Sequence, residues 1–334
     1  MKTYIIAEAG VNHNGDIDTA IKMIDAAKDA GCDCVKFQTY KTELLVTGDA
    51  PKADYQKENT NNSGSQFEML KKLELAFDDF LILKKHCDER GIDFMSTPFD
   101  MESADFLDEL VSVYKISSGD ITNKPLLEHI AKKKKPVIVS TGMSTLEEVK
   151  EAVEWIKKQD NNDISLLHCT SDYPTAYEDV NMQSMMTLKN SFPYPYGYSD
   201  HTLGYVIPVM AVAMGATIIE KHFTLDKNMD GPDHKASLDV KELEEMVKNI
   251  RIVEKAQGTG IKKPTESEIS TRNVARKSIV LARNLKKGDV IKENDLTVKR
   301  PGIGIEPKYL DSLTGKRIKR DMAKDDLVGF EDFE

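Results

Sequence analysis

Long apolar runs, paired cysteines and an excess of positive charge are all missing from this 334-residue sequence. Each absence removes a class of function. No stretch approaches the ~20 consecutive apolar residues of a membrane-spanning helix. Residues 1–10 carry an apolar run of only a few residues before polar Asn12, His13 and Asn14, too short for the hydrophobic region of a signal peptide. The four cysteines, Cys32, Cys34, Cys87 and Cys169, show neither metal-type CxxC spacing nor a dense disulfide framework. Reduced thiols in a cytoplasmic protein are the expectation. The net charge of -10 argues against nucleic acid and against an anionic membrane surface. An anionic substrate would require positive charge concentrated at one place against that global field.

Short apolar runs alternate with longer amphipathic stretches up to about residue 255. The runs are Tyr4–Ala9, Cys34–Gln38, Asp93–Ser96, Val113–Ile116, Val137–Ser140, Ile164–His168, Tyr196–Ser199 and Ile218–His222. Strands separated by helices pair in parallel, because each crossover returns the chain to the same end of the sheet. Eight such units predict an α/β fold, a closed (β/α)8 barrel over residues 1–256; an open doubly wound sheet is the runner-up. Residues 257–273, with Gly258, Gly260, Pro264 and several charges, read as a linker. Residues 274–334 read as a small, mostly β module with turns at Gly288–Asp289 and near 321–328. A module of that size is marginal alone, so docking onto another surface would help it.

Barrel enzymes carry their chemistry at the C-terminal strand ends, and here all eight ends are polar. They bring Glu8, Lys36 and Gln38, Thr97, Lys115 with Ser118 and Asp120, Ser140, His168 with Tyr173, Ser199 with His201, and Glu220 with His222. Lys36 and Lys115 interrupt apolar runs. Either they pair with Glu8 or Glu220, or they face the mouth with Thr97, Ser118 and Ser140 as an anion site, lysine supplying charge and hydroxyls supplying directed hydrogen bonds. His201 and His222 close two neighbouring strands, and two neutral imidazoles so placed can share one divalent metal with open positions. His13, His86 and His129 read as surface or loop residues. Asp233, in the Gly231–His234 loop, is either a solvated turn residue or a group held over the site.

The motifs Ala7–Gly15 (AEAGVNHNG), Val35–Gln38 (VKFQ), Ser96–Phe99 (STPF), Ser140–Met143 (STGM), Tyr198–Thr202 (YSDHT), Glu220–Thr224 (EKHFT), Gly231–His234 (GPDH) and Lys299–Gly302 (KRPG) resemble, in this order, those of the sialic acid synthase family. The tail is similar to the antifreeze-like (SAF, β-clip) domain of those enzymes. The resemblance implies condensation of phosphoenolpyruvate with an N-acetylated amino sugar and water, giving a nonulosonic acid and phosphate. It implies that Lys36, Thr97, Lys115, Ser118, Ser140 and Ser199 hold phosphoenolpyruvate, and that His201 and His222 ligate Mn2+ or Mg2+. Glu8, Tyr173, Asp233 and Arg300 would orient the sugar, with Arg300 supplied by the partner subunit of a domain-swapped homodimer. Glu8, Lys115 and Asp120 are the candidate catalytic groups. One departure stands out: the family's Gly-Glu after the fourth strand is Gly119-Asp120 here, one methylene shorter. The sugar is either N-acetylmannosamine or a 2,4-diacetamido-2,4,6-trideoxyhexose. A different metal-dependent barrel aldolase or synthase, and a non-catalytic sugar- or ice-binding protein, are the competing readings.

Overall fold

In the computed structural model, which describes residues 2–60 and 64–334, the chain divides into two compact units, Met1–Gly258 and Thr259–Glu334. The first is built on eight parallel strands: β1 Tyr4–Gly10, β2 Cys34–Thr39, β3 Asp93–Pro98, β4 Tyr114–Ile116, β5 Val137–Ser140, β6 Ile164–Cys169, β7 Tyr196–Asp200 and β8 Ile218–His222. Their order is β3-β2-β1-β8-β7-β6-β5-β4. Pairing of β1 with β8 joins the first strand to the last, which an open doubly wound sheet does not do. The seam lies between β3 and β4, which pack together without a hydrogen-bonded ladder among the described residues. The three-residue β4 ends at once in the turn Ser118–Asp120.

Alternation along each strand sorts the side chains into two cores. Ile5, Ala7, Val35, Phe37, Phe94, Val137, Leu166 and Ile219 face outward, into the large core shared with the helices. Ile6, Cys34, Met95, Ile138, Leu167 and Ile218 form a separate apolar cluster enclosed by the strands. The next inward residue on each strand, two positions on, is polar: Glu8, Lys36, Thr97, Ser140, Cys169 and Glu220, joined by Lys115 of β4 and Ser199 of β7. An apolar plug therefore underlies a polar ring. Several of the helices around the barrel start at side-chain caps. Asp16 accepts from the Thr19 N–H, and Thr145/Glu148 and Asp239/Glu242 form reciprocal capping boxes.

The second unit has its own core of Ile279, Leu281, Leu285, Ile291, Leu313, Ile318 and Phe333. Strands β9 Ser278–Leu281 and β10 Leu296–Lys299 pair antiparallel, and isolated bridges such as Leu285 with Met322 add to them. The segment expected to be a linker, 257–273, contains most of a helix, Glu266–Ala275. Its start was written in the sequence as Thr265-x-x-Glu268, a capping box. Every residue of the helix is exposed, so no apolar stripe announced it. Among the described residues no helix is long and apolar enough to cross a membrane.

Candidate active site

The polar ring floors a cavity of about 460 Å³ whose lining includes Glu8, Lys36, Thr97, Lys115, Ser118, Ser140, Tyr173, Ser199, His201 and His222. Of the residues picked from sequence, these ten converge on one mouth.

The two lysines take the paired arrangement. Lys36 Nζ lies 2.8 Å from Glu8 Oε2 and 3.7 Å from Glu220 Oε1, and donates to Thr97 Oγ1 at 3.0 Å. Lys115 Nζ lies 3.5 Å from Glu220 Oε1. All four charged side chains are buried, and an unpaired charge there would be strongly destabilising. Two cations and two carboxylates compensate each other. Burial pushes the Glu8 pKa up to about 7 against the pull of Lys36. Burial also opposes the Glu220 carboxylate, but Lys115 and Lys36 outweigh it and hold its pKa below the usual range. Lys115 is lowered by burial, whereas at Lys36 the two glutamates outweigh burial and raise it.

The hydroxyls complete the ring. Ser118 Oγ accepts from the Gly142 N–H at 2.9 Å, and Ser199 donates to Glu220 at 3.1 Å. Ser140 Oγ is buried with no partner among the described residues. A Cβ at Gly142 would collide with Ser171 and Ser118, so glycine is required for this approach.

At the rim, the His201 and His222 rings lie 5.5 Å apart. His201 Nδ1 is 2.6 Å from the Thr170 carbonyl, so that nitrogen carries the proton and Nε2 keeps its lone pair. His222 Nδ1 is buried without a hydrogen-bond partner, and burial with the neighbouring His201 lowers its pKa well below normal, leaving it neutral. The Nε2 of His201, on the ring edge away from the Thr170 carbonyl, and the orphaned buried Nδ1 of His222 fit a divalent cation. Among the described residues no group of three or more His, Cys, Asp or Glu could hold one, which leaves positions for water or substrate.

Tyr173 packs its ring 4.0 Å from that of His201. Asp233 does not line the cavity. It is buried, its Oδ1 has no hydrogen-bond partner, and burial raises its pKa to about 6. Asp120 also stays outside the lining. Its carboxylate accepts from Ser117 Oγ at 2.8 Å and from Asn123 Nδ2 at 3.1 Å. Arg300 belongs to the second unit, is exposed, and donates through Nε to the Ala275 carbonyl. His13 corrects the surface expectation: its loop turns inward, and the ring is 1% exposed, 6.1 Å from that of Phe37.

Sequence reasoning missed several lining residues. Cys169 was discoverable, since the inward alternation of β6 puts it in the ring after Leu167; its sulfur lies 3.7 Å from His201 Nδ1. Outside the lining, Gly10, with φ +53°, packs where a Cβ would meet the His222 ring at 3.3 Å. Tyr55, Gln56 and Gln66 come from the long excursion between β2 and β3, where no periodicity points at the mouth.

Comparison with known proteins adds an independent line. A model described as the NeuB family matches residues 23–262, and one described as the SAF domain matches residues 276–334. An N,N'-diacetyllegionaminic acid synthase of Legionella pneumophila is 49% identical over 328 residues, covering 97% of this chain and 92% of its own length. One from Campylobacter jejuni is 48% identical over 330 residues, covering 98% and 99%. Among solved structures, the N-acetylneuraminic acid (sialic acid) synthetase of Leptospira borgpetersenii, in complex with citrate, is similar with a TM-score of 0.72 and 38% identity, over 82% of this chain and 92% of that one.

Proposed function

Because the chain belongs to the NeuB family, we propose that it condenses phosphoenolpyruvate with an N-acetylated amino-sugar aldehyde and water, yielding a nonulosonic acid and phosphate. The observation that carries this reading is the polar ring: two buried lysines and several hydroxyls set on an apolar floor, beneath a histidine pair at the rim.

Phosphoenolpyruvate offers a phosphate and a carboxylate to Lys36, Lys115, Thr97, Ser118, Ser140 and Ser199. Without ligand, Glu8 and Glu220 neutralise the lysines. An entering anion exchanges one set of negative partners for another, so the buried cations are never left alone. His201 and His222 would hold Mn2+ or Mg2+, which when bound supplies Lewis-acid polarisation of the sugar's carbonyl oxygen. Tyr173 would bind the sugar, joined by Asp233 if the Gly231–His234 loop brings its unpartnered Oδ1 to the mouth, and Glu8 would orient the reacting end. Arg300 of a second copy in a domain-swapped homodimer would reach its acetamido group.

The enol carbon attacks the aldehyde carbon, forming the carbon–carbon bond and leaving a cationic centre beside the carboxylate. Water adds there and loses a proton, and the tetrahedral intermediate expels phosphate by carbon–oxygen cleavage. Lysine ammonium groups already in position stabilise the departing phosphate without reorganisation. Holding both reactants in one mouth removes the encounter entropy. Asp120, tied to Ser117 and Asn123, would need to release those partners to serve as the base. Glu8 and Glu220 already face the cavity, and the water's proton goes to one of these carboxylates. A single turnover in 18O-labelled water tests the scheme. The label is expected in the sugar acid; label in phosphate instead would overturn it.

A further inference from the structure

Between β2 and β3 the chain leaves the barrel for more than fifty residues and returns a short helix, Asp54–Thr60, to the cavity wall. Tyr55, Gln56 and Gln66 from this excursion line the cavity. They are linked in a row that begins at the histidine pair. The Tyr173 ring lies 4.0 Å from that of His201 and meets His222 edge-on at 5.8 Å. Tyr55 stacks on Tyr173 at 5.0 Å. Gln56 Nε2 donates to the Tyr55 hydroxyl at 3.3 Å, and Gln66 Nε2 donates to Gln56 Oε1 at 3.4 Å.

The row is anchored. Gln56 Oε1 also accepts from the Ala53 N–H at 3.0 Å. Asn59 Nδ2 donates to the Pro232 carbonyl at 2.7 Å, tying the helix to the loop that carries Asp233. The Gln66 backbone N–H donates to Ala50 O at 2.9 Å, and a Ser65/Glu68 capping box fixes the start of the next helix. Gln66's carboxamide oxygen has no hydrogen-bond partner among the described residues, so an acceptor is left at the outer end of the row.

We propose that Tyr55, Gln56 and Gln66 form the surface that selects sugars bearing a second acylamino group, remote from the reacting carbonyl. This rests on the synthase reading above, which puts the aldehyde at His201 and His222. The sugar chain then runs outward along Tyr173 and Tyr55. An acylamino group presents an N–H, a carbonyl and a methyl. A glutamine carboxamide complements the first two, accepting and donating in one plane, and the Tyr55 ring takes the methyl. A hydroxyl at the same carbon, donating and accepting through one oxygen, meets the two halves of the carboxamide only with bent hydrogen bonds and leaves the Tyr55 ring without a methyl. A site built to pair a polar group discriminates against ligands that leave it unpaired.

The test is phosphate release by the full chain with divalent metal and phosphoenolpyruvate. kcat/KM is compared for a 2,4-diacetamido-2,4,6-trideoxyhexose and for N-acetylmannosamine in wild type, Gln66→Leu and Gln66→Glu. The leucine removes both polar halves; the glutamate keeps the shape and removes the amide donor, so a folding defect in one variant leaves the other. The ratio of the two kcat/KM values is expected to shift against the diacetamido sugar by about tenfold or more in each folded variant. A fall of both sugars by the same factor, or no change in either, overturns the selectivity assignment and leaves the synthase reading standing. Absence of phosphate release by wild type with both sugars overturns the synthase reading and this inference with it.

Discussion

Lys36 is 3% exposed and sits one layer above an apolar plug, and Glu8 at 2.8 Å is its nearest compensation. Breaking a buried pair from one side strands the other charge, at a cost of about 3–5 kcal/mol. Lys36→Met is therefore expected to lower stability by that order in urea unfolding. Glu8→Gln combined with Lys36→Met should recover much of the loss, because neither charge is then stranded. Both variants lose phosphate release. His222→Ala is expected to abolish Mn2+ binding seen by calorimetry, and chelation of the wild type to stop turnover until metal is restored. In the second unit, Arg283 holds Asp295 through two hydrogen bonds, of 2.6 and 3.1 Å, and that bond depresses the Asp295 pKa. A depressed carboxylate contributes stability above its unfolded value, about 3.9, and loses it as pH falls through the lower folded value. Asp295→Asn should accordingly unfold at lower denaturant than wild type at pH 7, with the gap closing in acid below about pH 4.

At the scale of the elements, β7 and β8 approach so closely that Gly197 has no room for a side chain: a Cβ there would collide with the Ile218 carbonyl oxygen and the Leu167 side chain. Backbone cannot move aside as a flexible side chain can. Gly197→Ala should lower stability by about 3 kcal/mol or more, read as a drop in Tm. The strands themselves were legible, since each is a short apolar run bounded by polar residues, and the period of two placed Lys36, Thr97, Ser140 and Glu220 in one layer. Legibility failed where periodicity gives no direction. Nothing in the sequence distinguishes a tyrosine or glutamine that lines the mouth from one that faces solvent, so Tyr55, Gln56 and Gln66 escaped. Asp120 was picked by position after β4, but its neighbours Ser117 and Asn123 engage it first. The Glu266–Ala275 helix hid behind the glycines and proline before it, though its capping box was in plain view.

At the scale of the whole molecule, the proposed supply of Arg300 by a second chain would make the site complete only in a dimer. Mixing an Arg300→Ala chain with a Lys36→Ala chain should restore activity, since a heterodimer contains one mouth with both groups intact. About a quarter of wild-type turnover is the ceiling if subunits exchange freely and each mouth acts alone, estimated by random pairing. No recovery above either homodimer would show that Arg300 serves its own barrel or none. The apolar layer beneath Glu8 and Lys36 plugs the barrel below the polar ring. On the proposed reaction, the reactants, the water that ends it and the departing phosphate would all pass through the mouth above that layer. What lies deepest must then enter first and leave last. On the proposed assignment, phosphoenolpyruvate loads before the sugar. Phosphate, seated on the lysines, departs only after the sugar acid has cleared the mouth. The order of events in each cycle is thus set by depth.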